Sequence, residues 1–136
     1  MMQAVLQQYL GTAFLVESAG ISKELAGRPA NARSVACMHE RGVDLSGHSS
    51  RWIGDLDLGQ YQWIVCVGHD EADEIRSALG AGSASVVVAN ADHGGIPDPY
   101  ELGLPGYQDC VALLDQVMPD VAHHIIGASS GRSNGR

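Results

Sequence analysis

Cysteine is scarce in this 136-residue chain, and so is positive charge. Its three cysteines, Cys37, Cys66 and Cys110, include no C-x-x-C pair. A disulfide framework and a structural zinc site are therefore excluded, no metal or other cofactor is expected, and a reducing cytoplasm is the expected compartment. Eight Lys and Arg face sixteen Asp and Glu, for a net charge of −8. That balance argues against a general binder of nucleic acid or anionic membrane, since both require a basic face. No apolar run approaches the about 20 residues of a membrane span. The amino-terminal MMQAVLQQYLG has neither the basic stretch nor the continuous apolar core of a secretory leader.

What is present is a 45% hydrophobic composition without repeats or long linkers, which suits one globular domain. The expected domain covers residues 1–128, followed by a polar, Gly- and Ser-rich tail over 129–136 that reads as disordered. Residues 2–10 carry Val5, Leu6, Tyr9 and Leu10 at helical spacing, with Gly11 as the stop. Phe14–Glu17 reads as a short strand, and Ala30–Arg41 as a helix ended by Gly42. A short helical piece is expected around Trp52. YQWIVCV, from Tyr61 to Val67, carries the strongest strand signal, continuously apolar as a buried parallel strand would be. Helix 71–79 follows with Asp70 as its N-cap, then a buried strand from Ala84 to Ala89. A proline-rich loop spans Asn90–Gly106. An amphipathic helix runs from Tyr107 to Met118, where Pro119 should end or kink it before helix resumes over Asp120–Ile126. This alternation predicts an α/β, three-layer sandwich around a mainly parallel sheet.

Five segments, in order, carry a family resemblance: VESAG (Val16–Gly20), GRPANARSVACMHERGVDLSGHSSRWI (Gly27–Ile53), WIVCV (Trp63–Val67), IPDPY (Ile96–Tyr100) and the closing helix from Tyr107. Over about residues 1–126 the chain resembles the low-molecular-weight protein tyrosine phosphatases and their arsenate reductase relatives. The resemblance implies a C-x5-R-S phosphate loop between the first strand and first helix. No cysteine here has an Arg six positions on: Cys37 leads to Val43, Cys66 to Ala72 and Cys110 to Gln116. The thiolate nucleophile, the amide cradle and the phosphate-clamping Arg of the family have no counterpart in this sequence. Transfer of a doubly charged phosphoryl group depends on such positioned donors and cations.

The expectation is thus a phosphatase-like protein inactive on phosphotyrosine, with a binding, regulatory or repurposed role. The alternatives are a truncated form of an active phosphomonoester hydrolase and a small-molecule enzyme of another class. In the family the first strand lies between the second and third, so its loss would leave Phe14–Glu17 and Tyr61–Val67 without a shared neighbour. Open strand edges invite pairing, and a homodimer or strand-exchanged oligomer is expected.

By resemblance Asp98 occupies the general-acid position and Tyr100 the aromatic beside the cleft. Read locally, Pro97-Asp98-Pro99-Tyr100 is a turn, and Glu101 would repel a phosphate dianion. His93 is placed to form an acid/base pair with Asp98. A set of His69, His93 and Asp98 on a metal is conceivable but follows no known ligand spacing. Ser18, His48, Gly68 and His69 are expected to line the cleft at the carboxyl ends of the strands, with Ser18 and His48 chiefly structural. The acidic run Asp70, Glu71, Asp73, Glu74 reads as a solvated helix start.

Overall fold

A computed structural model describes residues 1–80 and 84–134, with side chains described as far as Ala128. It contains α1 (Met2–Leu10), α2 (Ala32–His39), β1 (Trp63–Cys66), α3 (His69–Leu79), β2 (Ser85–Val88) and α4 (Gly103–Asn134), joined by short 3-10 turns. The fold is α/β, with parallel strands and helices on both faces of the sheet.

Period-two alternation in β1 builds the layers. Trp63 and Val65 pack onto the cluster formed by α1, α2 and α4, whose centre is Val5, Met38, Leu114 and Met118. Ile64 and Cys66 turn the other way, onto Ala72 and Ile75 of α3. β1 and β2 pair in parallel, with Trp63 opposite Ser85 and Cys66 opposite Val88.

Local signals set several boundaries. Gly11, with φ of 74°, closes α1. Asn31 caps α2, its side chain accepting from Arg33 N at 2.8 Å. In α3 the N-cap is Gly68, and Asp70 lies in the first turn without capping it. Its carboxylate still complements the helix dipole there.

Tertiary packing overrides local signals at two places. The helix does not end at Pro119: α4 runs on from Gly103 to Asn134. A proline inside a helix costs about 3 kcal/mol. Met118, Val121, Ala122 and Ile125, all buried around it, outweigh that, since each large apolar side chain contributes about 1.5–3 kcal/mol. The helix thereby enters the segment expected as a tail, of which 135–136 lie outside the described residues.

The strand expected at Phe14–Glu17 is extended but pairs with no strand among the described residues. Side-chain amides of α1 satisfy its backbone instead. Gln7 Oε1 accepts from Val16 N at 3.0 Å, Gln7 Nε2 donates to Phe14 O at 2.8 Å, and Gln3 Nε2 donates to Val16 O at 3.0 Å. Gln3 and Gln7, one helical turn apart, face the same way and serve one extended segment. The piece expected around Trp52 consists of two 3-10 turns, Ile53–Asp55 and Leu58–Gln60.

Candidate functional site

β1 ends at Cys66, and Gly68 caps α3, which begins at His69, so the carboxyl end of the strand opens onto a helix N-terminus. The chain leaving β2 bends back over this end. Asn90 adopts the left-handed conformation, accepts from His93 N and Gly95 N through its carbonyl, each at 3.0 Å, and donates from Nδ2 to Gly95 O at 3.0 Å. Ile96 N then donates to Val67 O at 2.7 Å, latching the loop onto β1. Gly95 is required at the latch: its φ is +100°, and a Cβ there would collide with Val67 O.

The latch encloses a cleft of about 600 Å³, lined by Gly68, His69, Asp70, Glu71, Asp98 and Cys110 with neighbouring apolar groups. Asp98 is exposed, and its Oδ1 accepts from Tyr100 N at 3.0 Å, an Asx turn that aims the carboxylate. His69 Nε2 lies 3.3 Å from Ala91 O. No Arg or Lys is among the described residues that line the cleft, whereas Asp70, Glu71 and Asp98 are.

None of the cysteines has the setting of a reactive thiolate. Cys37, Cys66 and Cys110 are all buried, and burial pushes each thiol above its ordinary value. At Cys110 the positive amino terminus opposes the rise and the nearby Asp98 carboxylate adds to it, with burial prevailing. A low-pKa nucleophile needs the reverse surroundings, cations or helix-terminal donors beside an accessible sulfur. Tyr107 is also raised, first by burial and then by Asp98.

Of the residues expected at the site, the structure brings Gly68, His69 and Asp98 together. His93 ends an exposed 3-10 turn and does not line the cleft, and the latch bonds of its loop run through backbone and Asn90, with no bond from His93 to Asp98 among the described residues. Tyr100 is 63% exposed and also lies outside it. Among the described residues no group of three or more His, Cys, Asp or Glu is disposed to hold a metal ion, so His69, His93 and Asp98 are not assembled as a ligand set.

Ser18 and His48 lie away from this cleft. Ser18 Oγ donates to Gln3 Oε1 at 2.5 Å. His48 is half-buried in a strap that stitches residues 48–53 to 17–28: Gly20 N donates to Arg51 O at 2.8 Å, and Ser50 N donates to Arg28 O at 2.8 Å. Arg51 reaches Glu17 at 3.2 Å, and Tyr61 Oη donates to the same carboxylate at 2.8 Å. The hydrogen bond from Tyr61, then that from Arg51, hold Glu17 below the usual carboxylate range. Burial holds His48 below the ordinary histidine value, and the positive charges of the amino terminus and then of Arg51 add to this.

Sequence reasoning missed Asp70 and Glu71 as cleft residues, because an acidic first turn is normally solvated. It also missed the Asn90–Gly95 latch. Its visible signals were the adjacent glycines Gly94-Gly95 and an Asn following an apolar strand.

A parallel sheet with helices on both faces and a cleft at the carboxyl ends of its strands defines the class as an α/β domain. The chain belongs to the family described as low molecular weight phosphotyrosine protein phosphatase, whose profile matches residues 1–128. It is 27% identical over 117 residues to a probable low molecular weight protein-tyrosine-phosphatase, EpsP, of Ralstonia solanacearum, covering 85% of this chain and 79% of that protein. It is 25% identical over 93 residues to the low molecular weight protein-tyrosine-phosphatase YfkJ of Bacillus subtilis, covering 64% of this chain and 60% of that one. The fold superposes on Vibrio vulnificus Wzb in complex with benzylphosphonate with a TM-score of 0.77, at 24% identity and 90% and 87% coverage. A protein tyrosine phosphatase from Entamoeba histolytica gives a TM-score of 0.78 at 18% identity, covering 96% of this chain and 88% of that one. Among the described residues no helix is long and apolar enough to cross a membrane.

Proposed function

We propose that this chain is a non-phosphatase member of its family, in which the cleft serves binding, regulation or a reaction other than thiolate-dependent phosphoryl transfer. The charge of the cleft carries this reading. Three carboxylates and no Arg or Lys line it among the described residues. A phosphate dianion placed there would be repelled, where phosphoryl transfer demands cations and N–H donors. The lack of a C-x5-R spacing and the burial of every cysteine support the same conclusion.

Asp98 is the group best placed for acid/base work on a small molecule, with His69 across the cleft as its partner in place of His93. An uncharged or cationic ligand suits this lining. Cytoplasmic residence belongs to the same reading and rests on free, buried thiols.

The test is p-nitrophenyl phosphate and phosphotyrosine peptide hydrolysis by a clean preparation, together with melting in phosphate and vanadate. The expected results are no saturable hydrolysis and no rise in melting temperature. Saturable turnover abolished by vanadate would establish instead an ordinary phosphatase. If oxyanions have no effect and an uncharged metabolite stabilises the fold, the repurposed reading gains over a purely regulatory one.

A further inference from the structure

We draw no further inference here: the strongest candidate, the exposed apolar surface patch of Tyr100, Leu102 and Leu104 where the loop after β2 enters α4, carries nothing because nothing in the structure shows what covers it.

Discussion

α4 and β1 are both apolar, yet the molecule treats them differently. α4 is closed in: Leu114 is 1% and Met118 0% exposed, packed against α1 and α2. β1 is covered on both faces and pairs with β2 along one edge, while no strand among the described residues pairs with the other. A helix satisfies its own backbone, so apolar burial alone completes it. A strand satisfies only what its neighbours provide, so burial of its faces leaves an edge still to be answered. The extended segment at 14–17 shows one answer, the side-chain amides of Gln3 and Gln7 in place of a strand.

The sharpest way to break this contrast is to damage its closed side. Leu114→Ala leaves a cavity in the tightest part of the core and should lower unfolding free energy by about 3 kcal/mol in urea titration. A loss under about 1 kcal/mol would mean that α4 is packed no better than the open edge.

Next comes the latch that joins the two regions. Gly95→Ala adds a Cβ against Val67 O at a φ of +100°. The expected loss is about 1–3 kcal/mol, with chemical-shift changes concentrated at Val67, Gly68 and Ile96. Shifts confined to residue 95 would mean that the loop yields without disturbing β1.

A smaller loss is expected at the glutamines. Gln7→Ala removes the partners of Val16 N and Phe14 O. Stability should fall by about 1–2 kcal/mol, and Val16 amide exchange should accelerate. If exchange at Val16 were unaffected, water or another group would be serving that segment equally well.

The smallest effect is a pH dependence in the strap. Burial holds His48 below its ordinary value, so the folded chain binds this proton less readily than the unfolded chain. Its contribution is therefore fully present above the ordinary histidine value. It is lost as pH falls through that value toward the lower folded one. Melting temperature measured downward from pH 7.5 should decline less steeply in His48→Gln than in the parent chain. Parallel curves would show that His48 titrates as it does unfolded.

Much of the fold was legible in the chain. α1 stands where Val5, Leu6 and Leu10 recur at helical spacing before Gly11, and β1 where apolar residues run without interruption. Asp98 and His69 were legible as cleft residues because each follows a strand or turn signal that places it at the same end of the sheet. His93 and Tyr100 were not, since the choice of which loop side chains face inward belongs to the Asn90–Gly95 latch. Asp70 and Glu71 were hidden for a related reason. An acidic first turn looks the same whether it faces water or a cleft.

By itself the sequence determined the α/β class, the order of its helices and principal strands, the lack of a C-x5-R nucleophile spacing, and the acidic balance of the surface. These follow from local periodicity, turn chemistry and residue counts, which need no partner to be read. Tertiary structure alone decided that Pro119 stays within a helix, that residues 14–17 pair with no strand among the described residues, and that Asp70, Glu71 and Asp98 face the cleft. Each depends on a neighbour far away in the chain: Pro119 on the core around it, residues 14–17 on the glutamines of α1, and the cleft on a loop pinned to Val67. Burial and hydrogen-bond satisfaction are properties of the packed molecule, and they override local preference wherever the two disagree.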